Sequence, residues 1–171
     1  MEENLIDNNN PEYEPQKDGN NNWVESDTKN AASAHWCAER ARSYYLSVHG
    51  RWGSDYNGRW LNVFTEGNSL LNGSTAAYQL NFPWAGDNIA IRNVNTAITP
   101  PDAWNSGVGY SAATLDIIGH EYTHAMIGFS SNLKNYGDAG AIAEGICDVF
   151  GISVEADYNG SCDWSIGEDA N

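Results

Sequence analysis

The chain has 171 residues, 41% of them apolar, and 23 acidic against 8 basic side chains give it a formal charge of −15. That length builds one domain, or one domain plus part of a second. The charge argues against nucleic acid and anionic membrane surfaces as partners, since both need Lys/Arg patches, and suits a soluble protein that takes up divalent cations; a monomer is expected.

No apolar run reaches the length of a membrane span. Residues 1–30 lack the basic-then-apolar pattern of a signal peptide, so an exported form would carry its signal outside this chain. Cys37, Cys147 and Cys162 allow at most one internal bridge. Cys147 and Cys162 are close enough in sequence to pair, and a buried free thiol is the equal alternative.

In chain order, residues 1–26 are rich in Asn, Asp, Glu and Pro and form a loose arm or linker. A helix starts at Ser26 and Asp27 and stops near Gly50. After a turn-rich segment come three β-type runs, Trp60 to Thr65, Ala76 to Phe82 and Asn88 to Arg92, set off by Gly, Asn and Ser. A Pro100-Pro101 loop leads to a second helix, Ser111 to about Phe129. A third helix covers about Ala139 to Tyr158. Strands grouped ahead of two helices predict an α+β fold with a mixed sheet and an antiparallel helix pair. The implied division is 27–130 as an N-terminal α/β lobe and 131–171 as the start of a helical lobe.

The second helix carries His120-Glu121-Tyr-Thr-His124. Residues four apart share a helix face, so both imidazoles can address one ion, while Glu121 can reach a water on that ion without ligating it. On its own the pattern is short, and a His pair on an amphipathic helix is commonly structural. The third helix adds Gly140-Ala-Ile-Ala-Glu144-Gly-Ile-Cys-Asp148. Glu144 follows His124 by twenty residues, far enough for the chain to reverse and return it to the metal. Two His and one carboxylate leave a tetrahedral zinc one open position, as a catalytic site requires. Asp148, one turn past Glu144, can accept the remaining N–H of a ligand His. Apolar neighbours Ala141, Ile142, Ile146, Val149 and Phe150 read as a buried helix, in which unpaired carboxylates would be costly.

Together these segments resemble the thermolysin-like neutral metallopeptidases, the gluzincins. The likeness continues through Ala34-His35-Trp36, Ser43-Tyr44-Tyr45, Gly50-Arg51, Asp55-Tyr-Asn-Gly58 and Asp163-Trp164-Ser-Ile166-Gly167-Glu168-Asp169, over roughly residues 27 to 169. It implies hydrolysis of peptide bonds in proteins by a metal-activated water, with Glu121 as general base, and secretion. Asp116 and Glu155 extend the acidic stripe beyond the zinc and would repel each other without a cation, which favours calcium. The resemblance implies one structural calcium held by Asp116, Glu155, Asp163 and Glu168; Ser161 and Ser165 stand where a second ion would need oxygen ligands.

The resemblance also implies a substrate-binding edge strand at Thr75, Ala76 and Tyr78, with Thr75 where the family has Asn. Tyr136 is the nearest phenol to the family's oxyanion-donor position, which Asn135 occupies here. Ala143 stands where the family has Asn. A later His donor of the family has no counterpart among His35, His49, His120 and His124, and the C-terminal lobe is missing. A fragment of a longer protein is therefore expected. The competing readings are a non-catalytic, metal-stabilised peptide-binding module and, more weakly, a zinc aminopeptidase. His35 and His49 have no ligand-spaced neighbour.

Overall fold

The computed structural model describes residues 26–65, 71, 74, 76–79, 86–91 and 113–169. Its elements run α1 (Ser26–His49), β1 (Leu61–Phe64), β2 (Ala76–Tyr78), β3 (Asp87–Ile91), α2 (Leu115–Phe129) and α3 (Gly137–Asn159). The α+β architecture follows the sequence pattern, with shorter strands than the apolar runs suggest. The arm 1–25 and the Pro100-Pro101 loop lie outside the described residues. So do residues 80–82 and Arg92 at the strand ends, and 111–112 at the expected start of α2.

The sheet is mixed, in the order β1-β3-β2. Central β3 runs parallel to β1, with Leu61 opposite Asp87, and antiparallel to β2, with Tyr78 opposite Ile89. All five residues of β3 are buried, as befits a strand with neighbours on both edges and a helix against its face. Strand β2 is at an edge. Gln79 N donates to Asn88 O at 2.7 Å, so Ala77 and Gln79 turn their backbone groups toward β3. Pleating turns those of Ala76 and Tyr78 the other way.

Helix α1 packs Ala34, Cys37, Ala38, Ala41, Tyr44 and Tyr45 into the core, a three-four spacing that makes one apolar stripe. These side chains share one apolar cluster with Ile118, Tyr122, Ala125 and Met126 of α2, and with Ile89 and Ile91 of β3. The Tyr45 hydroxyl, 2.7 Å from Thr123 Oγ1, keeps a buried phenol satisfied. The helix is stopped at Gly50, whose φ of +63° only glycine adopts without strain, with Gly50 N donating to Leu46 O at 3.0 Å.

Helices α2 and α3 are antiparallel. Asp116 neighbours Glu155, His120 contacts Asp148, and Ile127 packs on Ala143, so the pairing runs in opposite directions along the two. Two glycines let the backbones touch between the functional clusters. A Cβ on Gly151 would sit 2.5 Å from the Asp116 carbonyl oxygen, and one on Gly119 would sit 3.1 Å from Gly151 Cα.

One expectation is corrected. Helix α3 is not buried all round: Ala141 is exposed, as are Ile142 and Val149, and Ile146 and Phe150 are only half-buried. Its apolar residues form two stripes, and the described core covers only one. Cys147 and Cys162 do not pair; the first is buried, the second exposed, and both are free thiols, as is buried Cys37.

Candidate metal centre

Helix geometry does the first part of the work. His120 and His124 project from one face of α2, their rings 5.0 Å apart between centroids. Across the helix interface, Glu144 of α3 presents its carboxylate to both: Oε2 lies 3.3 Å from His120 Nε2, and Oε1 lies 3.5 Å from His124 Nε2. A tetrahedral ion at ligand distances of about 2.0–2.1 Å sets nitrogen–oxygen edges of roughly 3.3–3.4 Å. Each contact is close to such an edge, though the two are made by different oxygens of Glu144; two imidazoles and a carboxylate have the chemistry for zinc.

Asp148 accepts the hydrogen bond predicted for it, with Oδ1 2.9 Å from His120 Nδ1. That contact fixes the tautomer with Nε2 as the free lone pair on the Glu144 side. Both carboxylates are half-exposed, Glu144 at 47% and Asp148 at 52%. The reason to credit them is therefore their contacts with the imidazoles, not burial among apolar neighbours. Burial lowers the His124 pKa, with Glu144 opposing and His120 reinforcing that shift.

Glu121 is nearly buried and points from α2 toward the sheet edge. Its Oε2 accepts the Tyr78 backbone N–H at 2.7 Å. Burial pushes its carboxyl up to about 7, against the lowering effects of His120 and the Tyr78 N–H. This link between the edge strand and the acid between the two His was not foreseen. Tyr78 was expected only as a substrate contact, and seeing its N–H on Glu121 requires the register of β2. Tyr78 also hydrogen-bonds through its hydroxyl to Asp87 Oδ1 at 3.2 Å, and Asp87 in turn meets Arg59 Nε at 3.2 Å. The strand is pinned at both its backbone and its side chain.

The other expected residues divide. Ala76 and Tyr78 lie on β2 beside α2; Thr75 lies outside the described residues. Tyr136 sits at the N-cap of α3 with its side chain 74% exposed. Asp116, Glu155 and Glu168 bring carboxylate oxygens within 4.8 Å of one another, with Asp116 and Glu155 buried and Glu168 exposed. Asp163 is not in that group, though its charge, with those of Asp116, Glu168 and Asp169, adds to burial in pushing Glu155 up to about 7. Asp116 is held by Thr114 Oγ1, by Ile117 N at 2.8 Å and by Gly167 N, which ties the loop after α3 to the start of α2.

The sequence alone leaves Cys147 as a thiol that pairs with Cys162 or is buried. Its sulfur and one ring nitrogen each of His120 and His124 all lie within 4.8 Å of one another. The signal was available in the sequence: Cys147 is three residues past Glu144, on the same helical face.

This combination of a mixed sheet edge, an HExxH helix and an antiparallel helix bearing the acid defines a class as well as a site. The chain matches the model of the thermolysin metallopeptidase catalytic domain over residues 2–128. It belongs to that family. It is 31% identical over 153 residues to thermostable neutral protease NprT of Geobacillus stearothermophilus, covering 89% of this chain and 25% of that protein. Similarity to bacillolysin of Bacillus caldolyticus has the same extent, and zinc metalloproteinase of Listeria monocytogenes is 29% identical over 149 residues, or 87% of this chain and 25% of that one. The chain thus spans about a quarter of the length of these relatives. The fold is that of the precursor of protealysin, a metalloproteinase from Serratia proteamaculans, with a TM-score of 0.64 at 20% identity, covering 92% of this chain and 42% of that one.

Proposed function

We propose that this chain carries the metal and the base of a zinc-dependent endopeptidase. The observation that supports this most is a single carboxylate, Glu144, facing the Nε2 atoms of His120 and His124 at 3.3 and 3.5 Å. His120, His124 and Glu144 hold the ion, and Asp148 orients His120. When bound, zinc supplies Lewis acidity, polarising a peptide carbonyl and acidifying water. Glu121 accepts the proton of the attacking water and delivers it to the leaving amine nitrogen. Its raised pKa suits a group that must both take and give a proton near neutrality.

A polypeptide substrate lies in extended form along the edge of β2 that faces away from β3, beside Ala76 and Tyr78, whose N–H is shared with Glu121. Thr75 extends that edge, and Tyr136 donates to the developing oxyanion. Asp116, Glu155, Glu168 and Asp163 hold one structural calcium. Residues 27–130 form the lobe that ends in the HExxH helix, and 131–171 begin a helical lobe. The protein acts outside the cell as a monomer; among the described residues no helix is long and apolar enough to cross a membrane.

The test is metal content plus hydrolysis of a quenched peptide, for the chain and for Glu121→Gln. About one zinc with turnover that Glu121→Gln abolishes is the expected result. Zinc without turnover in either overturns the endopeptidase and leaves a metal-stabilised peptide-binding module. No zinc overturns the whole reading.

A further inference from the structure

We infer that Cys147 is a further protein ligand to the metal at His120, His124 and Glu144, giving this centre a soft, sulfur-bearing coordination. The inference rests on the reading of those three residues as metal ligands, and adds a donor they do not supply. Cys147 is fully buried, is in no disulfide, and lies on the α3 face that meets α2. Its Sγ and one nitrogen of each imidazole are mutually within 4.8 Å.

A tetrahedral zinc with Zn–N of about 2.05 Å and Zn–S of about 2.3 Å sets nitrogen–sulfur edges of roughly 3.6 Å. Side-chain movement of about 1 Å therefore brings the sulfur to that spacing from the two imidazole nitrogens, within what a cation pulling its ligands inward accomplishes. The sulfur stands at a boundary: Ile127 and Ala143 pack on it from one side, and the two imidazoles face it from the other. Without a cation it is a neutral thiol filling an apolar niche. With one, the thiol proton leaves to solvent and the thiolate binds, with no change of oxidation state.

Two consequences follow. Thiophilic cations gain relative to a site of imidazole and carboxylate alone. The thiolate would also compete with water for the position that Glu144 and the two His would leave open, so Cys147 would hold the centre back from hydrolysis.

The probe is Co²⁺ loaded into the full chain, read by absorption. Thiolate-to-cobalt charge transfer in the near ultraviolet is expected in the unaltered chain, in Cys162→Ser and in Cys37→Ser. It is lost in Cys147→Ser, while the visible ligand-field bands persist there. Equal charge-transfer bands with and without Cys147, or a band lost only in Cys162→Ser, overturn the assignment and leave the zinc reading standing. Cobalt that does not bind the unaltered chain overturns both. Should Cys147→Ser fail to fold by circular dichroism, ¹¹³Cd resonance of the unaltered chain decides. A strongly downfield, sulfur-ligated signal upholds the proposal, and a signal typical of nitrogen and oxygen ligands alone overturns it.

Discussion

The two ends of the α2–α3 pair hold clusters of the same side-chain classes under opposite conditions. At one end, two imidazoles face Glu144 and Asp148, so acids and bases contact one another at 2.9–3.5 Å and solvent reaches the carboxylates. At the other, Asp116 and Glu155 are buried beside exposed Glu168, and among the described residues the side chains that converge are all acidic. The first cluster is satisfied by its own members and can stand preformed. The second has N–H and O–H donors on Asp116 but no positive charge among its converging side chains, and the raised pKa of Glu155 records the cost. Acids that contact imidazoles can serve chemistry; acids that converge on one another gain from a cation between them.

That contrast predicts effects of different kinds at the two ends. The largest is kinetic. Glu121→Gln should lower the rate of peptide hydrolysis roughly 100- to 10,000-fold with zinc content unchanged, since Glu121 touches the Tyr78 N–H and not the ligand atoms. A drop in bound zinc would mean that this carboxylate belongs to the ligand set. At the acidic end the effect is on stability. Calcium at a hundredfold excess over its Kd should add about 2.7 kcal/mol to unfolding by urea, and Asp116→Asn should remove that gain while leaving zinc bound. An increment that survives the substitution would place the ion elsewhere.

Asp148→Asn tests the contact that orients His120 and should weaken zinc about 10- to 100-fold, read by competition with a chromophoric chelator. Calcium stabilisation should not move. Gly151→Ala should disturb both ends together. Its Cβ would meet backbone, not a side-chain tip that can swing away, so the helices must part at a cost of roughly 1–3 kcal/mol. Loss at only one end would show the clusters to be uncoupled.

The site was legible in the sequence wherever helix geometry alone fixes position. Spacings of four set His120 against His124 and Glu144 against Asp148, and the length of the connection required reversal. Expectation failed where a contact depends on another element. The outward Ile142 and Val149 look like core residues because local composition carries no record of which stripe has a partner. The start of α2 at Leu115 has Thr114 Oγ1 bonded to the Asp116 side chain, so it does not cap the helix. The N–H of Tyr78 reaches Glu121 only because β2 pairs with β3 in one register. Shifting that pairing by one residue would turn Tyr78's backbone away from α2 and leave Glu121 without its donor.

The smallest effect concerns a third carboxylate, which unlike the other two clusters has a cation built in. Asp87 is buried at the start of β3 against Arg59, with the Tyr78 hydroxyl on the same oxygen. Burial nonetheless holds its pKa above the ordinary value, outweighing the nearby Ser54 hydroxyl, the Arg59 charge and the Tyr78 hydroxyl. The folded state therefore binds this proton more tightly than the unfolded chain does. The stability that the protonated form contributes is complete below the ordinary pKa of 3.8 and is lost as pH rises through the elevated folded value. Asp87→Asn keeps an acceptor for Arg59 and Tyr78 but has no proton to lose. Urea midpoints taken at rising pH should show the unaltered protein losing stability relative to the variant across that window. The opposite slope would mean that Arg59 outweighs burial, and that one built-in guanidinium does for Asp87 what no cationic side chain does for Asp116 and Glu155 among the described residues.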